Sequence, residues 1–235
     1  MEPKRTVIMI SGRGSNMAAL VEASRETGFP AKIAGVLSDK ADAAGLEFAA
    51  RAGIATRVVA RSDHASSDLH DGAIDDALEE LGAELVCLAG YMRRLTPGFV
   101  RKWSGRVINI HPSLLPLFKG LNTHRQALEA GVRIHGCTVH FVTPAIDAGP
   151  VIAQTAVPVL PDDSEDTLAA RVLNAEHHLY PVALRMVAEG KVTMHGDRAV
   201  FDGLRVDRAS TDNWLLSPAP DTGIVDIESL ARFTP

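Results

Sequence analysis

The chain has 235 residues, of which 46% are apolar and 23% charged, and its formal net charge is −5. That length suits one core on a sheet of about six or seven strands, and the ordinary composition leaves little room for long disorder. The negative charge opposes a nucleic-acid partner, and no stretch approaches the roughly 20 apolar residues that span a bilayer, so an anionic ligand must be bound by local features.

The opening MEPKRTVIMISG runs directly into a strand at Thr6 to Ile10 without a signal-peptide pattern, which points to a cytoplasmic protein. SGRGSN follows, and Met17 onward has helical spacing. Ile33 to Leu37 reads as a second strand, Ala43 to Ala52 as a helix closed by Gly53, and Ala55 to Val59 as a third strand. A helix over Asp68 to Leu81, a strand over Leu85 to Ala89, a helical stretch begun by Pro97 and a strand over Val107 to Ile110 continue the alternation.

Short apolar runs separated by helices are strands covered on both faces. The expected fold is therefore α/β, with a doubly wound, mostly parallel, Rossmann-like sheet whose ligands bind beyond the carboxyl ends of its strands. After a helix over Thr123 to Ala130 the pattern changes. Cys137 to Val142 and Val151 to Val157 are joined by a loop too short for a crossover helix, so the later strands are expected to be antiparallel. Thr167 to Glu189 predicts the longest helix, capped by Ser164, and Val192 to Met194 with Ala199 to Phe201 suggests a hairpin. One domain is expected over 1–207, with 208–235 as a tail of little pattern.

Ser11-Gly12-Arg13-Gly14-Ser15-Asn16 lies between a strand and a helix, where backbone N–H groups and the helix dipole favour an anion. A monophosphate cradle, a dinucleotide loop and a tight turn all remain open. The third glycine of a dinucleotide fingerprint is replaced by Met17, although Asp39 could serve as its ribose-binding acid. Asn109 and His111 are two apart at a strand end, so both side chains point to one face at the ligand edge. Asp147 sits in TPAIDAGP, a loop shaped by glycine and prolines; folded back toward His111, its carboxylate would stabilise positive charge there. Cys87 and Cys137 read as buried reduced thiols, and no His, Cys or Asp grouping has metal-ligand spacing, so no metal is expected.

SGRGSN, LAGYMRRL (Leu88 to Leu95), NIHPSLLPLFKG (Asn109 to Gly120), HGCTVHFV and DAGPVIAQ together resemble the phosphoribosylglycinamide formyltransferases, over about Thr6 to Asp207. The resemblance implies small-molecule substrates only: 10-formyltetrahydrofolate as co-substrate and phosphoribosylglycinamide as acceptor. It implies that Asn109, His111 and Asp147 are catalytic, and that Gly14, Ser15, Asn16 and Glu176 hold the phosphorylated acceptor. Met92, Arg93, Arg94 and Leu95, with Asn109, would then line the folate pocket. One departure is Ser67, where such enzymes usually carry a basic residue that reaches the folate; Arg61 is a candidate to replace it. Ser113 beside the histidine lacks the G-x-S-x-G elbow of a nucleophile.

The nearest rival is a formyltetrahydrofolate hydrolase with the same three residues. Such hydrolases generally carry an N-terminal regulatory domain and need no phosphate loop. A methionyl-tRNA formyltransferase would need more chain after the long helix, and a non-enzymatic nucleotide-binding module is the reading from another class.

Overall fold

The computed structural model describes residues 2–202. The expected tail over 208–235 lies outside them. Strands β1 (Lys4–Ile10), β2 (Ala31–Ser38), β3 (Thr56–Val58), β4 (Leu85–Leu88), β5 (Val107–His111), β6 (Ile134–Phe141) and β7 (Val151–Pro158) form one sheet in the order β3-β2-β1-β4-β5-β6-β7. The pairings from β3 through β5 are parallel, whereas β5 with β6 and β6 with β7 are antiparallel. The hairpin β8 (Val192–His195) and β9 (Arg198–Phe201) forms a separate two-stranded sheet.

Strand periodicity explains the two layers of core. Along β1, Ile8 and Ile10 join one buried cluster, while Val7 and Met9 join the other. The first cluster is covered by α1 (Ser15–Ala23), α2 (Ala44–Arg51), α5 (Thr123–Glu129) and α6 (Glu165–Ala188). The second is covered by α3 (Ser67–Glu80) and α4 (Pro97–Lys102). Burial on both faces is why the parallel strands read as unbroken apolar runs.

Helix boundaries follow their caps. Ser66, Thr96 and Ser164 accept hydrogen bonds from the first turns of α3, α4 and α6, and Thr167 returns a bond to complete a capping box. The longest helix consequently starts two residues before the expected Thr167. Strand β6 also starts earlier than the expected Cys137. Its added residues include Gly136, where a side chain would strike the Thr155 carbonyl of β7, and glycine carries no strand signal of its own.

Two features of this frame place the site. Strand order reverses between β1 and β4, opening the crevice where doubly wound folds bind ligands. The change to antiparallel pairing after β5 then sets residues of β6 directly opposite the end of β5.

Candidate active site

Beyond the carboxyl ends of β4 and β5 lies a cleft of about 830 Å³, lined by residues that include Asn109, His111, His140, Asp147 and Glu176. A smaller pocket of about 280 Å³ lies over the loop from Ser11 to Asn16 and the end of β4. Asn16, Gly90 and Met92 line both, so the two spaces adjoin.

In the β5–β6 register Asn109 pairs with His140 and His111 with Thr138. Opposed residues of an antiparallel pair share a face, as do i and i+2, so all four side chains project on the same side. Asn109 Nδ2 lies 3.2 Å from His140 Nε2, and His140 Nδ1 donates to the Phe141 carbonyl at 2.8 Å. Nε2 is then left as the acceptor of a neutral ring. Burial lowers the pKa of His140, with the Phe141 bond and Asp147 acting in the opposite sense.

Asp147 enters from the segment after β6. Gly149 permits that approach, because a side chain there would collide with the Phe141 carbonyl and come within 3.3 Å of His140 Nδ1. Asp147 itself has φ 46°, a left-handed conformation that Asp tolerates better than most residues. Its Oδ2 lies 3.6 Å from His111 Nδ1 and accepts the Gly120 N–H at 2.8 Å; Oδ1 lies 3.9 Å from His140 Nε2. His111 Nε2 faces the Phe118 carbonyl at 3.1 Å. The strap from Phe118 to Gly120 therefore orients both the imidazole and the carboxylate.

At the other end, Gly14 caps α1 in a left-handed conformation (φ 75°), and no side chain bonds the first-turn N–H groups. A helix start of this kind, free of acidic residues, suits an anion. Gly45 of α2 donates to the Gly12 carbonyl at 3.1 Å and packs against Gly14, fixing the loop from behind. Asn16 Nδ2 donates to Glu176 Oε2 at 2.7 Å, and both residues are buried. Burial raises the pKa of Glu176, and the Asn16 bond partly offsets it. The Oδ1 of Asn16 has no partner within the protein, which leaves an acceptor between the two spaces.

The formyl transferase family matches residues 4–184. The phosphoribosylglycinamide formyltransferase of Escherichia coli (strain K12) is 46% identical over 200 residues, which cover 85% of this chain and 94% of that protein. The chain belongs to the formyl transferase family. The trifunctional purine biosynthetic protein adenosine-3 of Homo sapiens is 52% identical over 190 residues, covering 81% of this chain but only 19% of that much longer protein. Among solved structures, the phosphoribosylglycinamide formyltransferase of Brucella melitensis is 57% identical with a TM-score of 0.77, over 80% of this chain and 96% of that one. A formyltetrahydrofolate deformylase from Pseudomonas syringae pv. tomato is more distant at 29% identity, with a TM-score of 0.78, over 85% of this chain and 66% of that one.

The formyl transferase scaffold gathers most of the residues singled out in the sequence. Gly14, Ser15 and Asn16 line the small pocket, and Met92, Arg93, Arg94, Leu95, Asn109, His111, Asp147 and Glu176 line the cleft. Within that set the arginines differ. Arg93 bonds the buried carboxylate of Asp71 on α3, so its charge is neutralised there, whereas Arg94 is exposed and donates to the Pro144 carbonyl at 3.2 Å. Ser67 is an exposed residue in the first turn of α3 and does not line the cleft; Arg61 donates to the His64 carbonyl within its own turn, at 2.5 Å.

Other motifs are absorbed by structure. Asp39 accepts from the Ser11 hydroxyl at 2.6 Å and lines neither space, so it does not stand where a ribose-binding acid would act. Ser113 is fully buried and donates to the Leu117 carbonyl at 2.7 Å. Cys87 and Cys137 are free and buried, and burial pushes both thiols up to about 12. No helix among the described residues is long and apolar enough to cross a membrane.

Three contributors escaped the sequence reading. Arg13 lines the small pocket, and its place between two glycines of an anion loop was the available signal. Gly45 lies some thirty positions from the loop it supports, and nothing local announces it. Tyr180 of α6 is fully buried and directs its hydroxyl at the Leu88 and Ile108 carbonyls, at 3.0 and 3.1 Å, bracing the ends of β4 and β5 next to Asn109.

Proposed function

We propose that the protein transfers the formyl group of 10-formyltetrahydrofolate to the glycinamide amine of 5'-phosphoribosylglycinamide, in the de novo synthesis of purines. The observation that carries this reading is that the anion-suited pocket adjoins the cleft, with Asn16, Gly90 and Met92 as shared walls. An acceptor seated by its phosphate over Gly14, Ser15 and Asn16 would deliver its amine toward Asn109 and His111. A hydrolase, whose acceptor is water, has no use for such a pocket.

The cleft also fits a folate. Met92, Leu95, Val142 and Ile146 supply apolar wall for a flat heterocycle and its aromatic extension, and Asn109 supplies an amide at the inner end.

In the proposed reaction the acceptor nitrogen attacks the formyl carbon, and the carbonyl oxygen gains negative charge as the tetrahedral intermediate forms. The free N–H of Asn109 and the Nε2–H of His111, which exchanges the Phe118 carbonyl for the substrate, are the donors for that oxygen, and one such donor contributes roughly 10²–10³ in rate. As the intermediate collapses, the bond from carbon to the folate N10 breaks, and the proton lost by the amine is delivered to N10. Asp147 stabilises charge on His111 and accepts the amine proton through water for that relay, a role worth about 10²–10⁴. Glu176, held by Asn16, is the acceptor for the ribose or glycinamide N–H and O–H groups. No covalent enzyme intermediate is needed.

The decisive assay measures formyl transfer from 10-formyltetrahydrofolate with and without phosphoribosylglycinamide. Transfer that requires the acceptor, with little hydrolysis in its absence, is the expected result. Rapid hydrolysis without it would convert the reading to a hydrolase. In single turnover, Asn109→Ala and His111→Ala are each expected to slow the chemical step by roughly 10²–10³, and near wild-type turnover would remove the residue from the reaction.

A further inference from the structure

The ladder between β1 and β4 ends at the pair Met9 and Leu88. Just past it the Ala89 N–H bonds the Met9 carbonyl at 2.9 Å, and the Ser11 N–H bonds the Gly90 carbonyl at 3.1 Å. There the two chains part. After β1 the chain enters α1, which packs on the first core cluster; after β4 it turns at Gly90 (φ 73°) and runs on to α4, which packs on the second. Divergence to opposite faces is what opens the ligand crevice of a doubly wound sheet.

The Ser11 side chain spans that opening. Its oxygen accepts the Met92 N–H at 2.9 Å, and its proton goes to Asp39 Oδ1 at 2.6 Å. A serine hydroxyl has one proton to give. Ser11 lines the small pocket, but with its proton committed to a carboxylate it has no donor left for a phosphate there. Only 5% of the residue is exposed, so water does not readily replace these bonds, and loss of the hydroxyl would leave the Met92 N–H without its partner. Asp39 follows β2 and lines neither space, so its carboxylate reaches the site through Ser11. Gly90 and Met92, both bonded to Ser11, are two of the three residues that wall both the small pocket and the cleft. One serine therefore ties the root of the anion loop to the wall shared by the two spaces.

We propose that Ser11, oriented by Asp39, is a positioning residue that sets the separation of the acceptor's phosphate site from the co-substrate cleft. An acceptor anchored at Gly14, Ser15 and Asn16 then brings its amine into register with the formyl carbon. This rests on the transfer reading above. A misplacement of about 1 Å between reacting groups costs roughly 10²-fold in rate, and slack at the junction of the two main chains would produce one. Ser11 itself touches neither reacting atom.

The test uses the full chain with Ser11→Ala, Asp39→Ala and Asp39→Asn, and compares phosphoribosylglycinamide with ribosylglycinamide, which has no phosphate for the loop to hold. With the phosphorylated acceptor, Ser11→Ala is expected to lower kcat about 10-fold while both KM values stay within about threefold. Asp39→Ala should lower kcat less, and Asp39→Asn, which keeps an oxygen for the hydroxyl, should stay within about twofold of wild type. With ribosylglycinamide the loss of kcat/KM in Ser11→Ala should be several-fold smaller. An equal loss with both acceptors overturns the proposal, because the cleft itself would then be damaged. A rise in acceptor KM at constant kcat overturns it too, by making Ser11 part of the phosphate site alone, as does an Asp39→Asn variant no faster than Asp39→Ala. Should Ser11→Ala fail to fold, the Asp39 pair carries the same comparison. Hydrogen exchange of the Met92 amide, followed by NMR, is independent of catalysis: ribose 5-phosphate should slow it several-fold in the wild type and leave it unchanged in Ser11→Ala. Slowing in a protein that transfers no formyl group would remove the transfer reading and support the junction, whereas no slowing in the wild type overturns the junction.

Discussion

Asn109 and His140 face each other across β5 and β6, with the amide nitrogen 3.2 Å from the imidazole Nε2. His140 Nδ1 is engaged by the Phe141 carbonyl, so Nε2 accepts and one N–H of Asn109 is consumed. The second N–H is thereby directed to the cleft. His140→Phe removes the acceptor and frees the amide to rotate. The expected outcome is a fall in kcat of about 10-fold or more with little change in either KM, approaching the loss of an oxyanion donor; an unaltered kcat would show that Asn109 keeps its orientation unaided.

Asp147 combines a left-handed backbone with a carboxylate shared between His111 and Gly120. Asn tolerates that backbone and can still accept from Gly120, so Asp147→Asn should fold with nearly unchanged stability while single-turnover rates fall by roughly 10²–10⁴. Thermal melting and rapid quench on the same sample separate the two. A large loss of stability with normal chemistry would make Asp147 a structural residue.

Tyr180 carries its effect through the backbone. Tyr180→Phe keeps the ring in the core but withdraws the donor shared by the Leu88 and Ile108 carbonyls, at a cost of about 1 kcal/mol. Relaxation of the β4 and β5 ends next to Asn109 should lower kcat several-fold. Denaturant titration gives the first quantity and steady-state kinetics the second.

At the phosphate end the sensitive point is Gly45. A side chain there would strike Ile10 Cδ1 at 2.5 Å and crowd the Gly12 carbonyl and the Gly14 Cα, each at 3.2 Å, displacing the loop. Gly45→Ala is expected to raise KM for the phosphorylated acceptor several-fold and to leave the folate KM unchanged. Equal effects on both would argue that the two spaces are not separate subsites.

Acid should destabilise the protein well before its carboxylates titrate. Burial, with His124 next in importance, lowers His135 from 6.5 to about 4. The unfolded chain thus binds a proton that the folded chain refuses, and stability present above pH 6.5 is lost as the pH falls toward 4, by about 3 kcal/mol for this group. His124 and His140 are lowered by burial as well and act in the same direction. Urea midpoints at pH 7.5 and 5.0 should differ more for the wild type than for His135→Phe; parallel pH dependences would contradict the assignment.

The sequence made legible what is local. Unbroken apolar runs mark the parallel strands, and the two-residue spacing of Asn109 and His111 is enough by itself to put them on one face. Asp147 was not reachable in that way, because its approach depends on Gly149 fitting under the Phe141 carbonyl, a contact between β6 and the segment that follows it. The separation of Arg93 from Arg94 was hidden for a similar reason. Adjacent in the chain and identical in chemistry, they differ only because α3 presents Asp71 to one of them.

The antiparallel pairing of β5 with β6 has a consequence for how such a site can change. Asn109 and His140 are locked together by ladder register, whereas the chain between them passes through a strap and α5 that lie outside the ladder. Insertions or deletions between Gly120 and Arg133 could therefore reshape access to the cleft while the pair stays aligned. A single-residue insertion within β6 would instead turn His140 to the opposite face and disable the site at once. Evolutionary freedom and chemical rigidity are thus assigned to different stretches of one connection.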